Sequence, residues 1–232
     1  RELAEVAFFT GITPTATAAP VIVGLLGERI DFAVSAFLAT NFGMACLFPF
    51  LIPVAIGDPA PTVFFDVIKS LLIVVGIPLL LAIPVRKFYK NYRELPKKLK
   101  NVSFFAWVIA IFLIIANASQ FLRGQQGSID THLLWKIALL SAAICFVNFY
   151  FGRFIGGRRY RREASQVLGQ KNTTLTIFLA LTYANPLVAL GPTFYVIWHN
   201  AWNACQLQMR AVREKRKRLR AELLLRPHGG RH

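Results

Sequence analysis

The sequence predicts an all-α, multi-spanning membrane bundle with two interrupted helices that cross. Three observations lead there. Hydrophobic residues make up 55% of the 232-residue chain, with a mean hydropathy of +0.49, more apolar surface than a soluble domain of this size needs to bury. The bases behind the net charge of +16 fall in blocks between apolar runs, the pattern of loops on the cytoplasmic face of a membrane. Two of the apolar runs are also broken by polar or Pro-rich clusters, which are costly at membrane depth unless they line a cavity or meet partners.

Composition also excludes functions. The basic blocks contain no aromatic–basic recognition element, so nucleic acid is not the expected partner. Acidic residues number only 11 and lie mostly at helix ends. No paired carboxylates, metal-ligand cluster or nucleophile–base motif is present, so neither an enzyme nor a metal or other cofactor is expected. Cys46, Cys145 and Cys205 sit inside apolar runs without metal or redox spacing and read as small packing residues.

Seven apolar segments are expected. The first, residues 3–26, is broken at Thr13-Pro14 and again near Pro20, because proline removes a helical N–H and clashes with the preceding turn. The second, 32–56, carries Pro49 and Pro53 near its far end. The third, fourth and fifth cover 63–84, 103–122 and 132–152. After the fifth, Gly152-Arg153-Phe154-Ile155-Gly156 has small-xxx-small spacing, but its place among arginines at a helix end reads as a loop. The sixth, 166–184, opens on the polar cluster Gly169-Gln170-Lys171-Asn172-Thr173-Thr174, and Asn185-Pro186 marks a turn. The seventh, 187–208, carries Trp198-His199-Asn200. Residues 210–226 read as a basic helical continuation facing anionic lipid headgroups, and 227–230 as disordered.

Orientation follows from alternate loops. Lys and Arg crowd residues 86–100, 153–162 and the tail, whereas 57–61 has none and 122–130 has only Arg123. The basic side is expected to be cytoplasmic, with the C-terminus inside and Arg1 outside.

Two interrupted helices in corresponding positions point to the binding site of an inverted-repeat secondary transporter. Here they are the first and sixth segments, each followed by one further span. If the positions match, residues 1–57 are the last two helices of a first repeat, 58–210 a five-helix second repeat, and 211–232 a basic cytoplasmic tail. Three helices are then expected upstream of Arg1, giving ten spans with both termini cytoplasmic.

The residues carry a resemblance. Gly169 to Leu175, Leu179 to Leu181 and Trp198-His199-Asn200 resemble the ninth and tenth helices of the bile acid:sodium symporter family. Pro14-Thr15-Ala16-Thr17-Ala18-Ala19-Pro20 with Leu25-Leu26-Gly27 resembles its fourth. The resemblance covers the chain apart from the tail. It implies ten helices in a panel and a core domain, and carriage of organic anions, often with sodium. Where sodium-coupled members have a Ser-Asn-like pair, a Glu and a Gln, this chain has Ala19 and Pro20, Val167 and Lys171. Further hydroxyl ligands fall near Ala33 and Phe37, or with a small gap near Thr40 and Asn41.

A protonated Lys171 about 4 Å from a sodium ion would oppose it by about 4 kcal/mol at an effective dielectric near 20. It is expected to donate to Thr17, Thr173 or backbone carbonyls of the broken helix instead, which makes a proton the candidate coupling ion. The expected function is therefore secondary transport of a small organic anion across the cell (inner) membrane without sodium. The expected cavity residues are Thr13, Thr15, Thr17, Lys171, Asn172, Thr173, Thr174, His199 and Asn200. The alternatives are a non-transporting scaffold or sensor, a Lys171 that snorkels to water, and a His199–Asn200 pair that only satisfies itself across helices.

Overall fold

The computed structural model describes residues 1–58, 60–89 and 131–225, with scattered positions between 94 and 124. Of the expected fourth segment only scattered positions are described, and the 227–230 stretch lies outside the described residues. The chain is otherwise helical as expected. It runs through α1 (Glu2–Gly11), α2 (Ala18–Leu25), α3 (Ile30–Ile56), α4 (Pro61–Leu71), a π-turn (Leu72–Gly76), α5 (Ile77–Phe88), α6 (Thr131–Ile155), α7 (Arg161–Gly169), α8 (Thr173–Tyr183) and α9 (Pro186–Leu225).

Local chemistry explains most boundaries. Pro61 opens α4, where its missing N–H is no loss. Gly57, at φ 74°, closes α3 in the left-handed conformation that glycine adopts without strain, and its N–H returns to the Pro53 and Val54 carbonyls. Pro49 and Pro53 stay inside α3, so the expected span is one unbroken helix. α4, the π-turn and α5 follow without a gap, making the third segment one span. α9 runs on through the basic stretch to Leu225.

Two expectations need correction. The sixth segment does not begin at its polar cluster: α7 starts at Arg161, and the break falls between two helical halves. The cluster therefore lies mid-segment, because the chain from Arg161 has enough buried contact on Val167 and Ser165 to extend the helix backwards. The Gly152–Gly156 stretch is not a loop but a packing surface. Gly152 lies within α6, where an added Cβ would stand 2.4 Å from the Ala164 carbonyl oxygen. At Gly156 it would stand 2.4 Å from that of Tyr160. Gly152 lets α6 and α7 touch backbone to backbone, and Gly156, in the turn after α6, leaves room for the Ala164 side chain, 2.8 Å from where its Cβ would stand.

The main apolar cluster lies among α1, α3, α4, α6, α8 and α9, with Phe9, Phe48, Ile52, Val67, Ile137, Leu179 and Val188 buried; smaller ones join Val23, Ala33 and Val167 and Cys145, Phe149 and Tyr195. α3 and α6 are long and apolar enough to cross a membrane, yet only 22% and 33% of their most apolar windows are buried. Phe42, Val54, Leu139 and Phe154 stand outward. Apolar surface of that extent is unfavourable in water and is what a lipid-facing helix presents.

Candidate functional site

Both interrupted helices break opposite each other. Thr15 and Lys171 form an isolated antiparallel bridge. The Ala16 N–H donates to the Gln170 carbonyl at 2.8 Å, and the Asn172 N–H donates to that of Pro14 at 2.7 Å. Each break thus pairs backbone groups that its own helix has abandoned, which is how non-helical backbone survives at membrane depth.

Side chains bolt the crossing. The Thr15 hydroxyl donates to the Val167 carbonyl at 2.8 Å, and the Asn41 amide of α3 donates to the Thr15 carbonyl at 2.8 Å. The hydroxyls of Thr13 and Thr176 share a bond of 3.0 Å between α1's end and α8. Thr13 also donates to the Phe9 carbonyl at 2.9 Å. At the basic end, Glu163 accepts from the N–H of Arg29 at the start of α3. Tyr160 stacks on Phe32 with ring centroids 4.5 Å apart.

A polar bond between Thr13 and Thr176 in apolar surroundings contributes about 1 kcal/mol. Thr13→Val and Thr176→Val are each expected to destabilise the detergent-solubilised protein by about that much, and the double variant by little more than either. Thermal unfolding of the three variants checks it; additive losses would show that the two hydroxyls act separately.

The two half-helix starts open into one cavity of about 610 Å³, walled by Ala16, Thr17 and Ala18 of α2 and by Asn172, Thr173 and Thr174 of α8. Asn172 caps α8, its side-chain oxygen accepting from the Leu175 N–H at 3.5 Å. Two helix N-termini, with their positive dipole ends, therefore border the same space. Lys171 lines it too, 7% exposed. α9 closes the far side with Thr193, Phe194, His199, Asn200 and Asn203.

The half-helix ends face the other way, and donors meet them. Lys171 Nζ donates to the Gly11 carbonyl, the last residue of α1, at 3.3 Å. The Tyr195 hydroxyl donates to the Gly169 carbonyl, the last of α7, at 2.8 Å. Lys171 is thus buried against the negative end of α1 rather than extended to water.

The nine expected residues divide. Thr17, Lys171, Asn172, Thr173, Thr174, His199 and Asn200 line the cavity, whereas Thr13 and Thr15 turn away into the crossing. Thr17 and Thr173 are not the partners of Lys171; the backbone carbonyl is. His199 and Asn200 do not satisfy each other. Neighbours on a helix point some 100° apart; the Asn200 amide bonds back to the Val196 carbonyl, and His199 packs edge-on against Tyr195. The sequence reading missed Gln170, Thr193, Asn203 and Tyr195. Gln170 stood in the same polar cluster, and Asn203 lies one turn beyond His199. Tyr195 carried no signal, since its partner is a backbone atom of another helix.

This arrangement defines a class: a membrane protein whose two interrupted helices cross and present paired half-helix ends to a cavity. The profile of the Sodium Bile acid symporter family matches residues 1–125, and the chain belongs to that family, whose members are transporters rather than enzymes. The matched stretch contains the first broken helix and the span after it; the Lys171 break and α9 lie beyond it. No curated protein matches the chain.

Proposed function

We propose that the protein carries a small organic anion across the cell (inner) membrane, and that it does so without sodium. The observation that carries the reading is the meeting of two half-helix N-termini and Lys171 in one cavity. Helix N-termini offer N–H donors and partial positive charge, which is what a carboxylate or sulfonate needs. The cavity's remaining wall is largely apolar, with Ile22, Ile177, Leu190, Phe194 and Ile197, which fits an anion attached to a hydrophobic body.

The cation side of the reading rests on the opposite ends. A sodium ion in this architecture would use half-helix carbonyls and side-chain oxygens. Here the carbonyls of Gly11, Val167 and Gly169 already accept from Lys171, Thr15 and Tyr195, and Ala19, Pro20 and Val167 bring no side-chain oxygen. A proton exchanged at Lys171 is the proposed coupling step.

In this proposal α1–α3 are the closing part of a first repeat and residues 58–210 a second. The pattern helix, break, helix, long span occurs in both: α1, α2, α3 and α7, α8, α9. The basic ends lie in the cytoplasm, together with the tail. A reporter fused after Leu225 of the full-length protein is expected to be active only if cytoplasmic; an outside readout would overturn the orientation.

The direct test is uptake of a radiolabelled carboxylated or sulfonated amphiphile into proteoliposomes of the full-length protein. Asn172→Leu removes the cap of α8 and an amide from the cavity, and is expected to reduce uptake about tenfold or more, from a loss of about 1–2 kcal/mol. A protein that binds such anions but never moves them would support instead a scaffold or sensor that keeps the fold.

A further inference from the structure

Between the cavity and the basic end lies a second hollow, a cleft of about 680 Å³ lined by Trp202, Gln206, Arg153, Arg161, Arg210 and Arg213 among others. The protein between these two spaces is polar. His199, Asn203 and Gln206 follow at four- and three-residue intervals on one face of α9. Gln166 and Gln170, one turn apart, face them from α7 and its break. Gln170, His199 and Asn203 line the cavity, whereas Trp202 and Gln206 line the cleft. The Gln166 amide donates to the Gln206 side-chain oxygen at 3.1 Å, spanning the seam between the two spaces.

Among the described residues, six buried side-chain polar atoms have no protein hydrogen-bond partner, and four of them sit in this seam: Gln166 Oε1, Gln170 Nε2, His199 Nδ1 and Asn203 Oδ1; a fifth, Trp202 Nε1, belongs to a residue of the cleft whose indole stacks on Phe149 of α6. Gln166 is 0% exposed and Gln170 2%. A lone unsatisfied group is an exception in a native fold, and four together at membrane depth imply a shared partner. The set mixes donors and acceptors, since amides and the imidazole offer both. An ion of either sign would leave half of them facing the wrong way. Water accepts and donates with equal ease, and it needs two to four polar partners, which this seam supplies.

We propose that a file of water molecules runs along the α7–α9 seam, joining the cavity to the basic cleft, with the Gln166–Gln206 pair as its gate. The file gives Lys171 and any anion in the cavity a hydrated path to the tail side while the gate bond stands between them and the cleft. The inference rests on the membrane placement of the chain, but not on what is transported.

The test is thiol accessibility in the full-length protein in sealed vesicles, read with a small, membrane-impermeant methanethiosulfonate. One single-cysteine protein keeps Cys205, which lines the cleft; the other carries Asn203→Cys with Cys46, Cys145 and Cys205 replaced by Ala. From the tail side, Asn203→Cys is expected to label, more slowly than Cys205. Gln206→Ala removes the gate bond and is expected to speed that labelling about tenfold, a change on the scale of one hydrogen bond. Gln206→Leu fills the seam with apolar surface and is expected to slow it. Cys205 should label alike in every background, which reports an intact fold; where a position-206 variant fails that control, Gln166→Ala opens the same bond from the other wall. An Asn203→Cys that never labels from the tail side, or whose rate ignores the gate substitutions, overturns the proposal. Uptake by the parent protein is measured separately, so a failed transporter reading and a dry seam give different results.

Discussion

Uptake of an anionic substrate by the full-length protein is expected to proceed at the same rate when sodium is replaced by choline at constant pH. Lys171 is the physical reason. It is 7% exposed and its Nζ holds the Gly11 carbonyl at the end of α1. A sodium ion about 4 Å from it would be opposed by about 4 kcal/mol at an effective dielectric near 20, roughly a thousandfold in affinity. Lys171→Gln removes the charge and is expected to flatten any pH dependence of uptake. Lys171→Glu replaces the fixed cation by a carboxylate beside the α1 carbonyls, and is expected to abolish sodium-free uptake and create sodium-dependent uptake. A lysine that merely reached for water would leave both variants like the parent. Strict sodium dependence of the parent would rule the reading out.

The largest structural effect is expected at Gly152. A Cβ there would lie 2.4 Å from the Ala164 carbonyl oxygen and 2.9 Å from Ser165 Cα, both backbone atoms with no rotamer to yield. Gly152→Val must therefore push α7 off α6. With that go the Ser165 hydroxyl bond to the Phe149 carbonyl, now 2.7 Å, and the placement of the break behind it. The expected loss is about 3 kcal/mol or more, seen as poor yield of folded protein and an early melting transition in detergent. Gly43→Ala is the matching control: nothing lies within 4 Å of its added Cβ. That variant should be neutral or gain up to about 1 kcal/mol from helix propensity. If both glycines tolerate the change alike, the close approach of α6 and α7 is not what holds the second broken helix.

Much of the fold was legible because its determinants are local. Thr13-Pro14 interrupts a helix wherever it is placed, since proline lacks the N–H and clashes with the turn before it. Gly57 and Pro61 mark the end of one span and the start of the next for equally local reasons. Hydropathy located α3 and α6 within a few residues. The second break was located in sequence but misjudged in depth, because Arg161 to Gly169 is polar enough to pass for a loop. Its helix is covered by α6, α3 and α2.

The sequence by itself thus determined that this is an all-α membrane protein of its family, that two helices are interrupted, and that a polar cluster around Lys171 lies within the second of them. Tertiary structure decided what each polar group does. Thr13 and Thr17 look alike in the sequence, yet one is spent on Thr176 and the other faces the cavity. Asn41 stood near an expected ligand position and Tyr195 carried no signal, yet both donate to backbone carbonyls that the crossing sets beside them. The physical reason is that a break frees backbone groups whose partners lie up to 160 positions away, so no local rule fixes which side chain will meet them. Polarity at depth announces that partners must exist; only the assembled bundle chooses them.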